Sequence, residues 1–492
     1  MEQPDQKADK NEKKEERYPL TTDQPPVVTS HKLQIGQKTL AYEAHTGMLP
    51  INGPTGETEA GVFFMAYFKK GADRAKRPLM FSFNGGPGSA SLWLHLGAVG
   101  PKRVRLQDDG NLPPPPYKLV DNPETWLEDT DLCFIDPVGT GYSRPATKEL
   151  GEKFWGLKGD IESVGEFIRL FLTRFERWTS PLFLVGESYG TTRAAGLAGH
   201  LIEKGIAFNG IILVSSILNF LTARFVKGND LPYVLFLPTY TATAWYHKKL
   251  PKDLMKDLHK TLAEVEQWAG TEYTLALAKG DRLSVRERDE VVSRLSRYTG
   301  LEPRFIRNCD LRVNIHHFCK ELLRDEGRTV GRLDSRIKGM DASGVTERPE
   351  HDPSMAAIRP PYTSMINDYI RGTLGYKTDV PYYVPYYVLG EGIEKPWDWG
   401  SAGEGPPDTS EALRSAFAKN PYMRLMVASG YYDLATPYYA TKYTLAHMGL
   451  DRSLRDRINT SEYEAGHMMY IHGVSLKKLK KDVAAFISSA LE

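Results

Sequence analysis

The chain has 492 residues, 41% of them hydrophobic, 11% aromatic and 25% charged, which is the balance of a globular protein and excludes a disordered, collagen-like or disulfide-framework chain. Its 63 basic and 62 acidic residues leave a formal charge of +1, with no basic excess to attract nucleic acid or an anionic membrane surface. No window reaches the roughly 18 apolar residues of a membrane helix, and three cysteines (Cys133, Cys309, Cys319) allow at most one bridge, for which Cys309 with Cys319 is the expected pair.

The first stretch, residues 1–30, is dense in charge and poor in apolar side chains up to about Pro26, and is expected to be a disordered tail. It contains no apolar run behind a basic start, so no secretory signal is visible. From residue 31, HKLQIGQKTLAYEAHTG alternates with a period near two, and GVFFMAYF is a compact β-prone run. RPLMFSF, DLCFID, PLFLVG and GIILVSS follow, each a short apolar run closed by Gly, Pro, Asp or Ser, as buried strands of a mostly parallel sheet should be. Between them, Ile161, Val164, Phe167, Ile168, Phe171 and Phe175 fall at steps of three and four and form one sheet-facing helical stripe. Alternating strands and helices predict an α/β core over 31–215.

Residues 216–375 lose the strand signal. Leu254, Leu258, Leu262, Val265 and Trp268 make an amphipathic stripe in charged surroundings, so a largely helical cap insertion is expected, ending in an irregular polar loop over about 324–353. Strands return over 376–492 in MRLMVASG and INTSEYEA, before a closing amphipathic helix. The predicted architecture is an α/β core interrupted by a helical cap.

The sharpest chemical signal is Gly186-Glu187-Ser188-Tyr189-Gly190, directly after an apolar run and directly before a helical pattern. This is the strand–turn–helix context of a nucleophile elbow, in which two glycines permit a turn that exposes a strained serine. A serine hydroxyl needs a base, and the base an orienting carboxylate, which follow in the order acid then histidine in this fold. Of His447, His467 and His472, only His467 follows a strand-like run through a glycine, in Glu464-Ala465-Gly466-His467. Asp433 ends the run MRLMVASG in Gly430-Tyr431-Tyr432-Asp433. The alternative reading of Asp433 is an ordinary turn former. The turn Asn84-Gly85-Gly86-Pro87-Gly88-Ser89 follows an earlier strand and can supply an oxyanion N–H beside that of Tyr189. It lacks the patterns of a nucleotide-binding loop.

Taken together, FNGGPGSAS (83–91), DPVGTGYS (136–143), GESYG (186–190), GYYDLATP (430–437) and EAGHM (464–468) resemble the serine carboxypeptidase family, an α/β-hydrolase fold. The resemblance implies Ser188 as nucleophile, Asp433 as orienting acid and His467 as general base. It implies Gly86 and Tyr189 as the oxyanion hole, and Asn84, Gly85 and Glu187 as the site for the substrate's C-terminal carboxylate. No metal or cofactor is implied. The partners expected are peptides with a free C-terminus, while the oligomeric state is left open, a dimer included. A bacterial periplasmic or secreted member would fit both the few cysteines and the missing signal, with a cytoplasmic location as the alternative.

The chain departs from the family pattern at three places. Ser82 stands where the family has Trp, Ala98 where it has a second Glu that shares a proton with the first, and Ser89 where it has a half-cystine. Without that partner, Glu187 is expected to ionise more readily and the enzyme to prefer acid less than the family norm. The departures also strengthen an esterase or acyltransferase as the alternative function. A catalytically dead binding module is argued against by the complete Ser188, Asp433 and His467 set. The four tyrosines of PYYVPYYV (381–388) fit either a substrate pocket or packing at a cap–core junction, and His316, His317 and Cys319 lack a second ligand pair for a metal.

Overall fold

A computed structural model describes residues 18–384, 397–400 and 405–492. Its frame is one large twisted sheet of strands β1 (Val27–Ile35), β2 (Lys38–Asn52), β3 (Thr58–Lys69), β4 (Leu79–Phe83), β5 (Asp131–Ile135), β6 (Leu182–Glu187), β7 (Gly210–Val214), β8 (Arg424–Gly430) and β9 (Ile458–Tyr463). The spatial order is β1-β2-β3-β5-β4-β6-β7-β8-β9, with the short strand Arg144–Pro145 also paired to β3. The first three strands form an antiparallel meander joined antiparallel to β5, and every pair from β5 to β9 is parallel. The crossover at β4 and β5 puts the sheet's centre at β4, β6 and β7, whose residues are all buried. That double burial is why these strands read as unbroken apolar runs. The first strand begins at Val27 and pairs with β2 as far as Thr46. Val27–Ser30 therefore belong to the sheet, not to the tail expected over 1–30: Val27 and Val28 lead into the same alternation that continues in HKLQI, and the ladder satisfies their backbone groups.

Side chains alternate between the two faces of the sheet. On one face Met80, Phe134, Phe183 and Val185 pack against helices α6 (Pro353–Asp368) and α9 (Gly473–Ser489); on the other Phe81, Ile135, Leu184 and Leu213 pack against α1 (Leu157–Arg174), α2 (Tyr189–Ile202) and α7 (Ser410–Lys419). The stripe read from Ile161 to Phe175 does this along α1 and its C-cap, where Phe167, Phe171 and Phe175 each contact Phe64 of β3.

Between β7 and β8 the chain builds a separate helical cluster from α3 (Leu231–Tyr246), α4 (Leu258–Trp268) and α5 (Val285–Thr299), with its own apolar centre at Tyr240, Val265, Trp268, Leu295 and Phe318. This insertion is less uniform than its sequence suggests. Thr329–Val330 and Lys338–Gly339 form a small antiparallel pair inside the expected irregular loop, and Ala357, Ile358, Tyr362, Ile366 and Ile370 pack into the main core. The expected Cys309–Cys319 bridge is absent. All three cysteines are free thiols, Cys319 buried in the insertion's core and Cys309 turned towards His317 Nδ1 at 3.9 Å. Tyr382 and Tyr383 pack at the junction, one edge-on to Tyr142 and the other beneath the Arg144 guanidinium; Tyr386 and Tyr387 lie outside the described residues.

Candidate active site

Ser188 sits between β6 and α2 with φ 60° and ψ −130°, a conformation that costs an L-residue strain and persists only where its surroundings impose it. A Cβ on Gly186 would fall 2.1 Å from the Gly190 carbonyl oxygen, and one on Gly190 2.9 Å from that of Phe83. Both positions of the motif therefore exclude side chains. The Ser188 N–H is held by the Val214 carbonyl at 3.0 Å.

The Gly-rich turn after β4 lies against this elbow. A Cβ on Gly85 would come within 2.5 Å of the Tyr189 nitrogen, which, as the first N–H of α2, lacks an intrahelical partner. A buried ion pair fixes the two together. Arg193 on α2 donates from Nε to Asp160 Oδ2 at 2.8 Å and from Nη1 to the Asn84 carbonyl at 2.7 Å, while the Tyr189 hydroxyl donates to the same Asp160 oxygen at 3.0 Å. Asn84 is buried, its Oδ1 accepting the Leu94 N–H at 3.0 Å and its Nδ2 without a partner among the described residues.

Asp433 and His467 come together from the ends of the next two strands. His467 Nδ1 lies 2.7 Å from Asp433 Oδ2, both groups buried. Asp433 is fixed in turn by the N–H groups of Ala435 and Thr436 on Oδ1, at 2.8 and 3.0 Å, and by Thr436 Oγ1 on Oδ2 at 2.7 Å. Burial alone would lower the His467 pKa. The Asp433 carboxylate beside it, its hydrogen bond and the Glu187 charge outweigh that and hold it above the ordinary value. His447, by contrast, bonds its own helix at Tyr443, and His472 caps α9 against Ser475. Asn84, Gly86, Glu187, Ser188, Arg332 and His467 all line one cavity of about 190 Å³.

Two parts of the site were not legible beforehand. The first is the segment Arg332–Ser335 from the cap insertion. The His467 N–H donates to the Leu333 carbonyl at 2.6 Å, and Leu434 N and Ser335 N donate to the Arg332 and Tyr432 carbonyls at 3.0 Å each. A Cβ on Gly466 would strike the Leu333 carbonyl at 2.5 Å, so that glycine serves this crossing. The second is Tyr470, whose hydroxyl donates to Glu187 Oε2 at 2.5 Å. Tyr470 also occupies the space beside Gly97, next to Ala98. Burial raises the Glu187 pKa to about 7, with the His467 charge and the Tyr470 hydrogen bond opposing it. Against an ordinary carboxyl, then, Glu187 holds its proton more firmly because it is buried, and its side-chain hydrogen bond comes from a phenol rather than from a second carboxyl. Ser82 Oγ is buried without a partner among the described residues, and Ser89 Oγ, in the place of the family's half-cystine, accepts from Trp93 Nε1 at 2.9 Å.

The serine carboxypeptidase family model matches residues 35–322, more than half of the chain. This chain belongs to that family. The matched stretch includes the elbow and the Gly-rich turn, while Asp433 and His467 lie beyond it. Among relatives, serine carboxypeptidase-like 36 of Arabidopsis thaliana is 28% identical over 187 residues, 37% of this chain and 36% of that one. The pheromone-processing carboxypeptidase KEX1 of Saccharomyces cerevisiae is 32% identical over 162 residues, 30% of this chain and 21% of that one. The chain thus matches about a third or less of the length of these relatives, which come from a plant and a yeast and lend no support to a bacterial origin. The crystal structure of a prohormone-processing carboxypeptidase from Saccharomyces cerevisiae superposes with a TM-score of 0.57 at 16% identity, over 90% of this chain and 91% of that one, and places the chain in the α/β-hydrolase fold. Among the described residues no helix is long and apolar enough to cross a membrane.

Proposed function

We propose that this chain is a serine carboxypeptidase that releases C-terminal residues from peptides through an acyl-enzyme on Ser188. The observation that carries the reading is the buried 2.7 Å bond between His467 Nδ1 and Asp433 Oδ2 at the edge of the cavity that Ser188 lines. With Nδ1 committed to Asp433, Nε2 is the nitrogen that takes the proton as Ser188 Oγ attacks the scissile carbonyl. The Gly86 and Tyr189 N–H groups receive the oxyanion. Collapse of the tetrahedral intermediate breaks the C–N bond, His467 returns its proton to the leaving amine, and water then hydrolyses the acyl-Ser188 by the same route in reverse. Asn84 Nδ2, the Gly85 backbone and a protonated Glu187 offer neutral donors to the substrate's terminal carboxylate.

Ser82 and Ala98 favour a second reading, an esterase or acyltransferase that uses the same triad on small acyl substrates. The family's usual side chains for carboxylate recognition are missing at both positions. Labelling with a fluorophosphonate, wild type beside Ser188→Ala, separates these readings. Loss of label in the variant, with protection by a blocked dipeptide acid but not by its amide, supports the carboxypeptidase. Equal protection by both moves the function to the second reading, and an unlabelled wild type refutes both. A secreted or periplasmic location accords with this activity and is tested by fractionating cells that express the full chain.

A further inference from the structure

Arg332 offers the cavity of Ser188 a positive charge that no side chain of this protein uses among the described residues. Its backbone is fixed on both sides: the N–H donates to Asp352 Oδ1 at 3.1 Å and the carbonyl accepts from Leu434 N at 3.0 Å. The side chain is exposed and lines the cavity. Its charge is felt at His467, with which it shares the lining of that cavity. Among the described residues it has no ion-pair or hydrogen-bond partner, although the neighbouring Arg336 is paired with Asp334 and Arg324 with Glu321. Asp352, which bonds the Arg332 backbone, is committed to the N–H groups of Arg332, Leu333 and Ser354.

The rest of the cavity lacks a permanent cation among the described residues. Asn84 brings a neutral amide, Glu187 is kept protonated by burial up to about neutral pH, and the places where the family pattern has Trp and a second Glu hold Ser82 and Ala98. A guanidinium presents paired N–H donors that match a carboxylate, at roughly twice the strength of neutral hydrogen bonds. We infer that Arg332 adds a charged contact to the free carboxylate of the substrate's C-terminal residue beside the neutral donors of Asn84, Gly85 and Glu187, supplying from the cap insertion the recognition that Ser82 and Ala98 do not give. This rests on the carboxypeptidase reading above and names a residue that contributes to its specificity.

The test is the ratio of kcat/KM for a blocked dipeptide acid to that for the matching amide, in wild type, Arg332→Gln and Arg332→Lys. Removing a charge-assisted contact to a carboxylate is expected to cut that preference about 10-fold or more, through KM rather than kcat, with Lys recovering part of it. Circular dichroism and fluorophosphonate labelling establish that each variant is folded. A wild type that prefers the acid, and an Arg332→Gln that keeps the full preference, overturns the assignment while leaving the carboxypeptidase standing. A wild type without any preference for the acid overturns both.

Discussion

Glu187→Gln isolates the consequence of burying a carboxyl behind the nucleophile. Burial raises the Glu187 pKa from 4.5 to about 7. Between these values the native protein keeps a proton that the unfolded chain has released, so stability falls as pH rises through the window and levels off above it. The gap corresponds to about 3 kcal/mol at roughly 1.4 kcal/mol per tenfold change. The amide that Glu187→Gln introduces has no proton to lose and still accepts from Tyr470. Denaturant unfolding of both proteins at pH 4 and pH 8 should therefore show the difference between them shifting by about 3 kcal/mol in favour of the variant on going to pH 8. Asp136, also raised by burial to about 7, contributes equally to both proteins and cancels. Parallel pH dependences would refute the reasoning, because they would mean that Glu187 titrates as an exposed carboxyl does.

Asp433→Asn should lower kcat by roughly four orders of magnitude with the fold intact, as loss of the orienting carboxylate does in serine triads, checked by steady-state kinetics beside circular dichroism. Tyr470→Phe removes the donor on Glu187 Oε2, which opposes its raised pKa; the limb of the kcat/KM profile that falls near neutral pH, as Glu187 loses its proton, should move to higher pH, and an unmoved limb would exclude Tyr470 from that role. Arg193→Met strands a buried carboxylate at Asp160 and should destabilise by about 3–5 kcal/mol, measured by denaturant unfolding. The double variant Arg193→Met with Asp160→Leu should recover much of that loss, since it leaves no unpaired charge.

The strands and the place of His467 beside Asp433 were legible for a local reason. Strands β4 to β7 are buried on both faces, so each had to be an apolar run, and the elbow glycines are required by contacts close to the motif itself. Asp433 could be placed because it follows β8, which the same rule exposes, whereas β9 is only partly buried and His467 was marked instead by the glycine that turns the chain after it. The tail boundary failed where Val27 and Val28 were too short a signal to stand alone, although the ladder to Ala44–Thr46 orders them. The cysteine pair failed because spacing says nothing of whether two thiols point at one another across packed helices.

Arg332, Leu333 and Tyr470 were invisible for the opposite reason. Each acts through a partner about a hundred residues away or more, and each carries a type with many commoner uses. The stretch around Arg332 reads as a polar loop because its backbone groups are satisfied by Asp352 and by the loops after β8 and β9 rather than by a ladder of its own. That same dependence ties the cap to the chemistry. The Leu333 carbonyl holds the His467 N–H, Arg332 holds the strand-end loop of Asp433 through Leu434, and Gly466 leaves the room in which they meet. A change in the insertion that displaced this segment would move Asp433 and His467 together, because both strand-end loops are bonded to its backbone.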